Sequence, residues 1–177
     1  MSFKIKYIDL NSQHKPIVKE INKVVSKVFK NSAFILRQNV QQFEKKVCKI
    51  LKVKYCVAVN SGTDALLFAL SQLNLKKNDE IIAPSHTYVA SVSAICHVGA
   101  KPIFVDIRDD FNINPNLIEK KITKKTKAIM VVHLNGRSCD MSPILRIAKK
   151  YRLKIIEDAA QAFGARYNGK FVGNFGF

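Results

Sequence analysis

Apolar positions along this chain change their spacing near residue 55, and the kind of structure they predict changes with them. Residues 1–15 are polar with little periodicity and read as an extended arm. From Pro16 onward, Ile17, Ile21, Val24, Val25 and Val28 recur at three- and four-residue intervals, with Lys and Glu filling the opposite face. That spacing predicts an amphipathic helix with Pro in its first turn. Asn31 and Ser32 interrupt it, and a second helical pattern runs over about 40–51 with Phe43, Val47, Ile50 and Leu51 on one side.

Beyond residue 55, short continuous apolar runs alternate with helical stretches. The runs at 55–59, 80–83, 102–105, 127–132 and 153–157 predict strands. Residues 63–73, 87–98, 115–121 and 142–151 predict helices, one stopped by Gly99 and one opened by Ser142 as N-cap with Pro143 behind it. Strands alternating with helices argue for an α/β fold, a mostly parallel sheet with helices on both faces. Asn168-Gly169 sits in a hairpin pattern over 167–171, and no closing helix or strand follows in VGNFGF. The expected organisation is an N-terminal arm with helices over 1–53 and an incomplete α/β domain over 54–177.

Composition narrows the classes. The 177 residues, 47% hydrophobic, suffice for one domain with a real core. A formal net charge of +17 raises nucleic acid as a partner. Yet the basic residues are mostly Lys, scattered through every segment, without an Arg cluster, an aromatic-interleaved basic stripe or zinc-finger spacing. Solvated helix faces account for them, and nucleic acid is not expected. Cys48, Cys56, Cys96 and Cys139 show neither CxxC spacing nor a disulfide framework, which points to a reducing compartment and to no metal. The N-terminus lacks a signal-peptide pattern and no apolar run reaches membrane-spanning length, so a cytoplasmic protein is expected.

Candidate chemistry gathers at the strand ends, where ligands of open α/β sheets bind. The first run leads into Asn60, Ser61, Gly62, Thr63 and Asp64 at the start of a helix. Free amides and the helix dipole suit an anion there, although a plain N-cap by Ser61 or Thr63 explains the same residues. Tyr88, after the second strand, suits stacking on a flat ring or an ordinary rim position, and His86 beside it suits acid–base work or plain solvation. Asp106, Asp109 and Asp110 have turn chemistry without metal-ligand spacing, while His133 and Asn135 point to the same sheet edge. The fifth strand delivers Asp158 and then Gln161 to that edge. A carboxylate placed there needs a partner. A protonated pyridine nitrogen supplies one, and the charge pair keeps the ring able to accept electrons. A cap on the Ala-rich turn is the simpler role.

Taken together, NSGTDALLFAL, APSHTYVAS, GAKPIFVDI and IIEDAAQAFGA resemble the DegT/StrS-type sugar aminotransferases, from YIDLNSQ through GNFG. These are pyridoxal-phosphate enzymes of the aspartate-aminotransferase fold. The resemblance implies that Gly62 and Thr63 bind the cofactor phosphate with Ser61 shaping the turn. It implies that Tyr88 stacks on the ring, Asp158 pairs with the ring nitrogen and Gln161 bonds the ring hydroxyl oxygen. The loop from His133 to Gly136 would line the substrate side, with His133 and Asn135 facing the substrate. The implied donor is glutamate or glutamine, the acceptor a keto sugar on a nucleotide carrier, and the assembled enzyme a homodimer with its sites at the interface.

The chain also departs from that pattern. Arg37 stands where a FILG-like turn has Gly, and Asn135 and Arg137 replace residues of an HLYGQ-type loop. The Schiff-base lysine follows a Ser-Phe run beyond GNFG, a segment outside this sequence, and Lys170, after the Asn-Gly turn, is expected on the surface. Without that lysine no residue here carries the amine chemistry, so the expectation is an N-terminal half-site, inactive alone. In the resembled fold later strands insert beside the first one, which would leave residues 55–59 unpaired and prone to aggregate. A pyridoxamine-phosphate sugar dehydratase of the same family, with His in place of the lysine, and a non-catalytic regulatory derivative are the alternatives.

Overall fold

A computed structural model describes Ile5 and residues 8–176; the rest of the expected arm before residue 8, and Phe177, lie outside the described residues. From residue 10 that arm is helical rather than extended. Helix α1 (Leu10–His14) is capped by Asp9, whose carboxylate accepts from the Ser12 amide at 3.2 Å and the Ser12 hydroxyl at 2.7 Å. A capping side chain starts a helix without apolar periodicity, which is why the pattern misses it. A 3₁₀ turn at Lys15–Ile17 carries Pro16 into α2 (Val18–Lys30), and α3 (Gln38–Leu51) follows. The chain divides within α3 into two units, Met1–Lys45 and Lys46–Phe177. In the first, Phe29 meets Phe34 edge-on at 5.4 Å, while no residue of α2 is buried.

The second unit is built on a parallel sheet of four strands: β1 (Glu80–Pro84), β2 (Lys101–Val105), β3 (Thr126–Val132) and β4 (Lys154–Asp158), ordered β2-β1-β3-β4. Alternate residues feed two cores. Ile81, Met130 and Ile156 pack with Leu66 and Leu70 of α4 (Gly62–Ser71) and Ala94 and Ile95 of α5 (Val89–His97). Ile129, Val131 and Ile155 pack with Ile118 of α6 (Pro115–Ile118) and Met141 and Ile144 of α7 (Met141–Tyr151). Helices therefore cover both faces. The N-cap position of α7 is Asp140 rather than Ser142, because the Ser142 amide donates instead to the Tyr167 hydroxyl at 3.2 Å. Strands β5 (Arg166–Tyr167) and β6 (Lys170–Phe171) close the hairpin through Asn168 and Gly169, both at positive φ (47° and 79°), as a two-residue turn of this kind requires. No helix among the described residues is long and apolar enough to cross a membrane.

Residues 55–59 belong to neither sheet, and Tyr55 and Val57 are 74% and 77% exposed. A groove of about 690 Å³, lined by Lys52–Tyr55 on one side and Ile155–Glu157 on the other, runs along β4.

At the carboxyl end of β4, Glu157 closes the fold. Its side chain is 3% exposed and takes four donors. His133 Nε2 lies at 3.1 Å and the Gly173 amide at 2.7 Å from Oε2, and the Phe175 and Gly176 amides lie at 2.5 and 2.6 Å from Oε1. His133 Nδ1 accepts from the Cys139 amide at 3.0 Å, so the ring proton sits on Nε2 and is donated to Glu157. A Cβ at residue 176 would lie 3.0 Å from the Ile155 carbonyl oxygen, a tight contact that Gly avoids. Burial pushes the Glu157 carboxyl up, but the His133 hydrogen bond and the three amides outweigh it and hold it below the usual carboxylate value. The neighbouring Cys139 thiol, buried and facing the charge of Asp110, is pushed up to about 12 and is unreactive.

Because its folded value is depressed, Glu157 contributes stability that is complete above its unfolded value of about 4.3 and is lost as pH falls through the folded value. Glu157→Gln should lower unfolding free energy at neutral pH by about 3 kcal/mol, the scale of hydrogen bonds to a charged group. It should also flatten the acid limb of urea midpoints measured against pH. An unchanged acid limb would remove Glu157 from this role.

Candidate functional site

The carboxyl ends of β3 and β4 and the N-termini of α4 and α5 enclose a cavity of about 250 Å³, lined by Gly62, Thr63, Leu66, Tyr88, Ala90, Val132, Asp158, Ala160 and Gln161. Five of the residues singled out in the sequence, from three separate stretches, thus share one space.

At the start of α4, Ser61 is the N-cap: its Oγ accepts from the Asp64 amide at 3.1 Å, and its hydroxyl donates to Asp64 Oδ2 at 2.9 Å. Ser61 does not line the cavity; it sets the turn. Capping uses the third amide of the helix, and those of Gly62 and Thr63 have no intrahelical carbonyl to reach. A side chain at 62 would meet nothing within 4 Å, so Gly leaves that approach open. The structure shows the cap at Ser61, and it leaves two amides at the positive end of the helix dipole beside it. Tyr88 is the N-cap position of α5 and is 67% exposed, with its ring on the cavity rim.

Asp158 ends β4 opposite Val132. Its Oδ2 accepts from Ser91 Oγ at 2.9 Å and its Oδ1 from the Ala160 amide at 3.2 Å. A carboxylate offers about four lone-pair sites, so both oxygens keep acceptor capacity toward the cavity. Gln161 Oε1 accepts from the Asn135 amide at 3.0 Å. A backbone N–H demands the oxygen at that position, which leaves the Gln161 NH₂ group to donate elsewhere. Asn135 adopts a left-handed conformation (φ 52°, ψ 33°) that presents this amide. The loop is anchored from behind by Asn112, 1% exposed, whose Oδ1 accepts from the Leu134 amide at 3.1 Å while Nδ2 reaches the Arg137 and Ser138 carbonyls.

His133 does not face the cavity. It is fully buried beneath the loop, with both ring nitrogens committed to Glu157 and Cys139. As the residue after β3 it points to the sheet face opposite Val132, a parity that proximity in sequence conceals. Asn135 is exposed, and its part in the site is the amide held by Gln161. His86 lies beside Phe111 at 5.9 Å, and Asp106 and Asp110 accept the Ile107 and Asn112 amides in turns; none of the three lines the cavity. Lys170 is exposed, and no lysine lines the cavity. No group of three or more His, Cys, Asp or Glu among the described residues could hold a metal ion.

Three supporting residues escape a reading of strand ends. Ser91 was hidden inside an apolar helix, Glu157 behind its neighbour Asp158, and Asn112 in a loop of ordinary turn residues. A polar side chain in an otherwise apolar run is the signal that Ser91 and Glu157 carry; Asn112 carries none.

Known proteins resemble this chain in sequence and fold. A transaminase of Aneurinibacillus thermoaerophilus, dTDP-3-amino-3,6-dideoxy-alpha-D-galactopyranose transaminase, is 48% identical over 174 residues, covering 97% of this chain and 48% of its own length. DesV of S. venezuelae, solved in complex with a ketimine intermediate, superposes with a TM-score of 0.93 at 36% identity, over 97% of this chain and 47% of its own. E. coli GDP-4-keto-6-deoxy-D-mannose-3-dehydratase, solved with bound hydrated PLP, superposes at 0.83 with 31% identity, over 88% of this chain and 42% of its own. The chain spans about half the length of the relatives it matches. With the family model matched over residues 15–177, the chain belongs to the DegT/DnrJ/EryC1/StrS aminotransferase family.

Proposed function

We propose that this chain forms the cofactor-holding part of a pyridoxal-phosphate-dependent aminotransferase that moves an amino group from glutamate or glutamine to a keto sugar on a nucleotide carrier. The observation that carries this reading is the single cavity joining Gly62, Thr63, Tyr88, Asp158 and Gln161. The donor set fits the cofactor. Two helix-terminal amides suit a phosphate, an aromatic ring suits a flat heterocycle, a carboxylate suits a protonated ring nitrogen and an amide NH₂ suits a ring oxygen. When bound, the cofactor supplies an electron sink for chemistry at the substrate's amine-bearing carbon.

Each residue has a defined part. Gly62 and Thr63 hold the phosphate through their main chain, and Ser61 fixes the turn that presents them. Tyr88 covers the ring face and limits water there. Asp158 holds the proton on the ring nitrogen, and Gln161 donates to the ring oxygen while Asn135 keeps its carbonyl turned away. Asn135 lies at the substrate side; the side chain of His133 supports that loop from below. The lysine that would move protons at the reacting carbon is not among the cavity residues, which makes the chain inactive alone in this reading; spanning about half of its relatives' length, it works within a longer enzyme, read here as homodimeric and cytoplasmic. A sugar dehydratase of the same family is the second reading, favoured by the likeness to the E. coli 3-dehydratase; analysing whether product carries an amino group separates the two.

Pyridoxamine 5′-phosphate is the suitable probe, since its lack of an aldehyde avoids adducts with a surface rich in Lys. Calorimetry should show saturable one-to-one binding to the chain, weakened about tenfold or more by Asp158→Asn, the effect of losing one hydrogen bond between charged groups. Absent binding, or equal binding by the variant, would overturn the cofactor reading. The chain supplied with pyridoxal phosphate, glutamate and a nucleotide-linked keto sugar should form no amino sugar; formation of one would show that the missing lysine is not needed.

A further inference from the structure

Ser91 sits in α5 with no exposed surface, and nothing in its own helix needs its hydroxyl. The N-cap position is Tyr88, without a side-chain cap, and the Ser91 amide already donates to the Tyr88 carbonyl at 3.1 Å. The contrast with Ser93, one turn position away, is instructive. Ser93 Oγ bonds back to the Ala90 carbonyl at 3.2 Å, the ordinary local habit of a helical serine. Ser91 reaches across 67 residues of sequence instead, to Asp158 Oδ2 at 2.9 Å.

The direction of this contact follows from the groups. A carboxylate only accepts, so Ser91 commits its single proton to Asp158. Thr87 Oγ1, 3.0 Å from Ser91 Oγ, must then donate to it. The result is an ordered chain of hydroxyls, Thr87 to Ser91 to Asp158, in which each bond polarises the next. Ala160 supplies the opposing donor at Oδ1, 3.2 Å away. Held from α5 on one oxygen and from its own following turn on the other, the carboxylate plane of Asp158 has one orientation, with its remaining lone pairs toward the cavity.

We propose that Ser91, backed by Thr87, is the positioning residue for Asp158, fixing the carboxylate so that it meets a protonated ring nitrogen in the cavity. The inference rests on the cofactor reading above and adds to it the group that aims its central acid. Ser91 touches no ligand; it acts through Asp158.

The test compares two probes on the full 177-residue chain. They are pyridoxamine 5′-phosphate and its carbocyclic analogue, in which C–H replaces the ring nitrogen. Ser91→Ala should weaken binding of the first about tenfold, the scale of a lost contact to a charged group, and leave the second unchanged. Ser91→Cys, similar in shape and a weaker donor, should fall between. Should Ser91→Ala fail to fold, Thr87→Val should still show a smaller loss confined to the nitrogen-bearing probe. Equal losses for both probes would reduce Ser91 to a packing residue and overturn the inference, as would no loss for either, while leaving the cofactor reading standing. A wild-type chain that binds neither probe, or cannot tell them apart, would overturn the pairing of Asp158 with a ring nitrogen and this inference together.

Discussion

Successive residues of a strand face opposite sides of its sheet, and at the carboxyl end of β4 this places two carboxylates back to back. Glu157 turns toward the face covered by α6 and α7, where it meets His133 and three amides of the segment 173–176. Asp158 turns toward α4 and α5, where it meets Ser91. Parallel pairing in register, Val131 with Glu157 and Val132 with Asp158, ties both to the inner strand β3. Neither carboxylate could be shifted by one residue without exchanging a closed structural network for an open cavity.

The two environments differ in completeness. Around Glu157 every visible demand is met by protein, so the group behaves as a fastener. Around Asp158 the protein supplies two donors and leaves acceptor capacity over, in a cavity whose other walls carry helix amides and an aromatic ring. This contrast, one carboxylate closed and its neighbour partly open, is what the proposed ligand site rests on.

Much of this was legible before any coordinates. Apolar runs located the four paired strands to within a residue or two, because buried parallel strands are continuous in hydrophobicity. That Gly62, Thr63, Tyr88 and Asp158 share one cavity was legible because small, aromatic and acidic residues at strand ends stand out against such runs, with Gln161 following Asp158 to the same edge. The failures have physical causes. Residues 55–59 have a strand's composition but belong to neither of the sheets among the described residues. The helix at Leu10–His14 depends on a capping carboxylate rather than on periodicity. His133 was misplaced because position along the chain does not reveal which face of the sheet a side chain takes.

The hydrogen bond between the Asn135 amide and Gln161 has a consequence for how such a site diversifies. The loop steadies the glutamine through its main chain, so the identity of side chain 135 is released from that duty. Residues other than Asn tolerate a left-handed backbone at a cost of about 1 kcal/mol. Under the proposed function, the exposed position can therefore be rewritten to suit different acceptors while the ring below keeps the same neighbours, so that recognition drifts where chemistry stays still.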